Sequence, residues 1–193
     1  TTLSSIGVEF GGLVVGSLVA RVGLRTPAML AKMAASIDDM TGGRFILGLG
    51  SGDSGDHPEH EMFGIPGEFD AASRHGLLSE TVEAVKSLFD GRGWRGGDHT
   101  PAIPGRLLPP PSRAGGPPVW VGGASEEVAR IAGRVADAWN GWGMSMAQFR
   151  LSAATVAEAA AAHGRACDTT WAGVVVVVAD EAEIPAVAAS RRE

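Results

Sequence analysis

The sequence predicts an α/β fold built on a parallel sheet, and two observations carry that prediction. Apolar, β-rich runs alternate with segments whose apolar residues recur at helical spacing, and at least one of those runs is apolar on both faces. Strands that alternate with helices are joined by right-handed crossovers, so neighbouring strands run parallel. Five strands are visible, which fits either a small doubly wound sheet or part of an eight-stranded β/α barrel. A length of 193 residues corresponds to about one domain.

Each element has its local reason. Gly12 to Ala20 (GLVVGSLVA) reads as a strand covered on both sides. Thr26 followed by Pro27 is an N-cap with proline at the first helical position. Leu30, Met33, Ile37 and Met40 then keep helical spacing until Gly42-Gly43. Arg44 to Gly50 (RFILGLG) is the next strand, and residues 51–72 form a polar, glycine-rich loop. From about Ser73, Leu77, Leu78, Val82, Val85, Leu88 and Phe89 line one face of a second helix that stops at Gly91. The stretch 91–118 holds most of the prolines, and a structureless segment of that length is more often functional or inserted than a linker. It is expected to help shape a substrate pocket. Val119 to Gly123 (VWVGG) is a short strand. Ser125 caps a helix that buries Val128, Ile131, Ala132 and Val135, and Ala136 to Asn140 is a further strand. An Ala-rich helix fills about 147–163, Trp171 to Ala179 is an apolar strand, and a last helix starts near Glu181.

Composition narrows the partners. The chain is 45% apolar and 20% charged, so it can bury a core, unlike a disordered segment. Sixteen basic against 22 acidic residues give a net charge of -6, which argues against nucleic acid and anionic membrane as partners. Cys167 is the single cysteine, so no intrachain disulfide forms and a cytoplasmic location is expected. The longest apolar runs fall short of the roughly 20 residues that span a bilayer. No basic residue precedes Arg21, so the N-terminus does not read as a signal peptide. The chain starts at Thr1 without a Met, which leaves room for it to be a piece of a longer protein.

Gly50-Ser51-Gly52-Asp53-Ser54-Gly55 matches G-x-G-x-x-G directly after a strand. A dinucleotide fold needs a helix to start inside that motif, as does the glycine-rich first motif of Rossmann-like methyltransferases. Here no helical period appears until about Ser73. A tight glycine turn at a strand end is the plainer alternative. Val119 to Gly123 is a strand ending in two glycines with a helix starting at Ser125, the kind of junction where backbone amides hold an anion. Glu126 and Glu127 in the first turn suit the helix dipole but compete with a bound phosphate, so the anion is expected on the loop amides.

Read with its neighbours, the region carries a resemblance. Ser36-Ile37-Asp38-Asp39-Met40-Thr41-Gly42-Gly43-Arg44-Phe45-Ile46-Leu47-Gly48-Leu49-Gly50-Ser51-Gly52 closely resembles the signature of the luciferase-like monooxygenase family, flavin- and deazaflavin-dependent oxidoreductases related to bacterial luciferase. Arg25-Thr26-Pro27-Ala28 with Leu30-Ala31-Lys32 resembles that family's R-H-P-A-x-L-A-K, with Thr26 where His is usual. Phe63-Gly64-Ile65-Pro66 is similar to its F-G-I-P, and Arg74 with Leu78 and Glu80 to its R-x-x-x-L-x-E helix. Pro117-Pro118-Val119-Trp120-Val121-Gly122-Gly123 resembles P-P-I-x-V-G-G. Ala136-Asp137-Ala138-Trp139-Asn140 resembles A-D-G-W, with Ala138 in place of Gly.

The resemblance implies a single (β/α)8 TIM-barrel type domain over 1–193, incomplete, with about strands three to seven present and a Pro/Gly-rich insertion at about 91–118. It implies an oxidoreductase or monooxygenase that uses reduced FMN or coenzyme F-420 on a small organic substrate, with paired donors and incorporation or reduction of molecular oxygen. Ser17 and Leu18 match the strand end that supports the tricyclic ring. Ser51 and Gly52 match the turn beside the ring or the phosphate tail, and Gly122, Gly123 and Ala124 the loop that holds the cofactor phosphate. Asp53 falls where the deazaflavin branch has an acid for proton transfer, which tilts the expectation towards F-420. Asp reaches less far than Glu by one methylene. A homodimer is compatible with the resemblance.

Other constellations carry less. His57-Pro58-Glu59-His60-Glu61 is not H-E-x-x-H and reads as a solvated loop, so no metal is expected. Arg44 and Arg74 are expected to pair with Asp38 or Glu80 in the scaffold. Trp120, Trp139 and Trp142 lie near strand ends, where core packing competes with stacking on a cofactor ring. The absence of a G-x-S-x-G elbow disfavours an α/β-hydrolase. Two other classes of function stay in view. A Rossmann-like nucleotide- or S-adenosylmethionine-binding enzyme predicts a helix by about residue 56 and helices on both faces of the sheet. A non-catalytic truncated scaffold predicts no bound cofactor and an exposed apolar edge at Gly12 to Ala20.

Overall fold

The chain enters through a short helix, α1 (Thr2–Glu9), and two two-residue strands, β1 (Val15–Gly16) and β2 (Ala20–Arg21). Helix α2 (Pro27–Met40), strand β3 (Phe45–Gly50), the one-turn α3 (Glu59–Met62) and helix α4 (Ala71–Phe89) follow. The second half holds β4 (Val119–Gly122), α5 (Glu126–Val135), β5 (Ala138–Trp142), α6 (Met146–Ala162) and β6 (Asp168–Ala172). A 3-10 turn at Glu181–Glu183 then leads into α7 (Ile184–Ser190). This computed structural model describes residues 2–52, 59–64, 70–173 and 176–190.

All strand pairs are parallel. Both β1 and β2 pair with β3, and β4, β5 and β6 add on in the order of the sequence. That order separates the two architectures left open by the sequence. A doubly wound sheet reverses its strand order at a switch point and carries helices on both faces. A sheet that grows in one direction through right-handed crossovers collects its helices on one face and curves into a barrel wall. The fold is therefore an incomplete β/α barrel.

Side-chain alternation divides the wall. Phe45, Leu47 and Leu49 of β3 and Val119 and Val121 of β4 are buried in one core with Leu78, Val82 and Val85 of α4 and Val128 and Ile131 of α5. Each such side chain contributes about 1.5–3 kcal/mol on burial. On the opposite face, Gly48 and Gly50 of β3 and Gly122 of β4 carry no side chain. Residues Ser17 to Val19 lie in the space this leaves. A Cβ on Gly48 would collide with the Ser17 carbonyl, one on Gly50 with Val19, and one on Gly122 would stand 2.6 Å from Val19 Cγ1.

This packing corrects the expected strand at Gly12 to Ala20. Only Val15, Gly16 and Ala20 of it pair with β3, because Ser17 to Val19 turn away to cover the glycine face. Leu13, Val14 and Leu18 are more than half exposed. Helix α1 is an element the sequence reading does not contain. Of the strand expected at Trp171 to Ala179, Trp171 and Ala172 belong to β6 (Asp168–Ala172), whose polar Asp168, Thr169 and Thr170 suit an outer strand, and Val174 and Val175 lie outside the described residues. The strand expected at Ala136 begins two residues later. There the Ala136 N–H still caps α5, and the Asp137 carboxylate accepts the Val119 N–H at 2.8 Å. The loop expected at residues 51–72 contains α3, and α4 begins at Ala71 with Asp70 as N-cap.

Charged groups close the amino-terminal rim of the strands. The buried Asp38 carboxylate pairs with Arg113 at 2.7 Å and accepts the Phe45 N–H. Asp137 takes Lys86, with Arg165 at 3.8 Å. Residues 91–118 lie far from where a pocket-shaping segment should be. They wrap across α2 and α4: the Leu108 carbonyl accepts from Lys32, Ser112 donates to Asp39, and the Glu80 carboxylate accepts from Thr100 and from the His99 N–H. Among the described residues, none of this stretch lines the main cleft described below.

Candidate functional site

The carboxyl ends of β2 to β5 open on a cleft of about 790 Å³, within the range of about 300–1,000 Å³ usual for small-molecule sites. Barrel enzymes carry their chemistry at this end of the strands. Two glycine turns face each other across the cleft. Gly50 ends β3 and Ser51 and Gly52 follow it, Gly122 ends β4 and Gly123, Ala124 and Ser125 follow it, and all seven line the cleft. Parallel pairing of β3 with β4 brings the turns together.

At the first turn, Gly52 has φ +74, a conformation L side chains rarely adopt, and a Cβ there would run into the Arg21 side chain. At the second, the Gly123 N–H donates to the Asn140 carbonyl at 3.2 Å, and the Gly123 carbonyl accepts from the Trp139 indole at 3.1 Å. The Ser125 hydroxyl caps α5 by accepting the Val128 N–H at 3.3 Å. Gly123 thus directs its own N–H along the sheet. Ala124 and Ser125 follow it with N–H groups that donate to no backbone carbonyl among the described residues.

The lining is cationic although the chain as a whole is acidic. Arg21, Arg25 and Arg74 border the cleft with His75, and no carboxylate lines it among the described residues. Arg74 stands in the first turns of α4, at the same rim as the start of α5. The sequence reading misses this cluster, because its members come from β2, the β2–α2 turn and α4. The expected pairing of Arg44 and Arg74 with Asp38 or Glu80 is not the one the described residues form. Instead Arg44 donates to the carbonyls of Gly7 and Leu13, Asp38 takes Arg113, and Glu80 holds His99 and Thr100.

The other predicted site residues divide. Leu18 lines the cleft, more than half exposed. The Ser17 hydroxyl donates to the Gly48 carbonyl at 2.8 Å and accepts the Gly48 N–H at 3.1 Å, so it braces β3 rather than facing the cleft. Asp53 lies outside the described residues, as do His57 and Pro58. Among the described residues no cluster of His, Cys, Asp or Glu is placed to hold a metal ion. Trp139 is fully buried and stacks on Phe149, with centroids 5.6 Å apart, whereas Trp142 is about half exposed at the edge of the cleft. Asn140, a further lining residue, donates its side-chain amide to Thr170 at 2.8 Å.

The sequence profile of the luciferase-like monooxygenases matches residues 12–192. The chain belongs to this family. Solved structures of similar shape agree with the β/α barrel fold. A monooxygenase from Streptomyces bottropensis superposes with a TM-score of 0.77 at 22% identity, over 98% of this chain and 59% of that one. A coenzyme F420-dependent tetrahydromethanopterin reductase from Methanopyrus kandleri gives 0.76 at 17%, over 94% and 56%. An EDTA monooxygenase from Chelativorans sp. BNC1 gives 0.73 at 20%, over 98% and 52%. The chain therefore spans between 52% and 59% of the length of these three structures. No helix among its described residues is long and apolar enough to cross a membrane.

Proposed function

We propose that this chain is an oxidoreductase that binds reduced FMN or coenzyme F-420 and acts on a small organic substrate. The observation that carries the reading is the meeting of two glycine turns and three arginines in one cleft at the carboxyl ends of the strands. Glycines bring backbone amides close to a ligand, and a helix start with arginines nearby suits a phosphate. Val19 packs onto the bare face of Gly50 and Gly122, which seats it and Leu18 at the cleft as an apolar surface for a flat ring. The residues present fit the group.

In this reading Ala124 and Ser125 offer their amides to the phosphate, and Arg130, paired with Glu126 and 3.6 Å from Glu127, offsets the charge in the first turn of α5. Leu18 and Val19 form the apolar bed that keeps water from one side of the ring. Asp53, next in the chain after Gly52, is the acid we assign to proton transfer. When bound, the cofactor supplies hydride transfer or reaction with oxygen; the protein supplies position and charge.

Mixing the protein with FMN, F-420 or S-adenosylmethionine tests this by visible absorbance and thermal shift. At a hundredfold excess over Kd, a true ligand adds about 2.7 kcal/mol of stability. FMN or F-420 should perturb the spectrum and raise Tm, and S-adenosylmethionine should do neither. A response to S-adenosylmethionine alone would overturn the proposal. Asp53→Asn should keep cofactor binding and lose turnover by about 10²–10⁴-fold, the usual size of an acid–base contribution.

A further inference from the structure

We infer that Trp139 is a positioning residue that aims the Ala124 amide into the cleft. The inference rests on the phosphate reading of the glycine turn given above. Both polar groups of Gly123 are held by consecutive residues of β5: its N–H by the Asn140 carbonyl at 3.2 Å, and its carbonyl by the Trp139 indole N–H at 3.1 Å. The Trp139 side chain is fully buried, so the Gly123 carbonyl points inward to the core. The peptide unit is planar and trans, so its N–H points opposite to its carbonyl. A Gly123 carbonyl drawn inward by Trp139 therefore turns the Ala124 N–H outward, into the cleft that Ala124 lines.

The indole is itself well fixed. It stacks on Phe149 at an interplanar angle of 16°, and Gly141 makes room for it, since a Cβ there would stand 2.7 Å from Trp139 Cη2. Indole nitrogen only donates, so the bond to Gly123 cannot reverse its polarity. Core packing alone would be served by any large apolar ring. The N–H adds the direction of one peptide plane.

The test uses the full 193-residue chain labelled with ¹⁵N and inorganic phosphate as the probe. Trp139→Phe keeps the stack and removes the donor, while Phe149→Leu loosens the stack and keeps the donor. Trp139→Phe should speed amide exchange at Gly123, leave Val121 unchanged and weaken the phosphate titration of the Ala124 amide about tenfold, the effect of losing one hydrogen bond. Phe149→Leu should lower Tm and leave phosphate affinity as in the wild type. In the wild type, the Trp139 indole N–H and the Ala124 amide should shift along one phosphate titration curve, a readout that requires no variant to fold. Unchanged phosphate affinity in Trp139→Phe, equal loss in Phe149→Leu, or no phosphate response at Ala124 in the wild type would each overturn the inference. Phosphate binding without FMN or F-420 binding would instead remove the cofactor reading and leave the positioning role standing.

Discussion

Glycines that look alike in the sequence face different demands. At Gly48 a Cβ would strike the Ser17 carbonyl, a backbone atom that cannot swing aside, whereas a Cβ on Gly105 would meet nothing within 4 Å. Gly48→Ala should therefore cost about 1–3 kcal/mol, as overpacking does, and Gly105→Ala should stay within about 0.5 kcal/mol. Urea unfolding of both variants separates them, and equal midpoints would refute the packing seen at Ser17. Gly52→Ala acts on the site itself. It places a side chain at φ +74 and pushes on Arg21, and the expected loss is at least about 1 kcal/mol of stability together with weaker FMN or F-420 binding in a fluorescence titration. The two glycine turns were legible because glycine marks a strand end. The arginines opposite them were not, because no local pattern joins Arg21, Arg25 and Arg74 until the sheet is assembled.

Among the elements, α4 and the wrapping segment show how a long connection is anchored. Burial pushes the Glu80 carboxyl up, but hydrogen bonds from the Thr100 hydroxyl and the backbone at His99 and Asp98 outweigh it and hold the group below its ordinary value. The sign follows from that direction. The stabilisation is complete above the unfolded value of 4.5 and is lost as pH falls through the lower folded-state value. Glu80→Ala should cost about 1–3 kcal/mol by leaving the Thr100 and His99 donors without their acceptor. It should also flatten stability against pH below about 5, and an acid limb identical to the wild type would contradict the assignment. Helices α2 and α5 were legible from caps and periodicity, since Thr26 and Ser125 each accept the N–H three residues on, whereas α6 was legible from its alanines and its Ser145 cap was not. Helix α1 was hidden by its short length and mixed polarity. Strand β6 was misplaced because the apolar run after it outweighs the polar Asp168, Thr169 and Thr170 that pair with β5.

For the molecule as a whole, the order of strands decides the fold and also leaves two outer members. Among the described residues, β1 and β2 pair only with β3, and β6 pairs only with β5. Exposed apolar side chains stand near both: Val14 at 62% and Leu18 at 57% beside the first, Trp171 at 47% on the last. Unpaired edges with apolar cover are templates for association. The 193-residue polypeptide should associate with rising concentration in sedimentation velocity, and a constant mass of 19.8 kDa at every concentration would argue against it.

The belt formed by residues 91–118 has a practical corollary. It crosses α2 and α4 on the side away from the glycine turns, and at its exposed bend near Gly105 an added group would meet open solvent. A fluorophore or affinity handle grafted at that bend would report on the protein without entering the cleft between the glycine turns and the arginines.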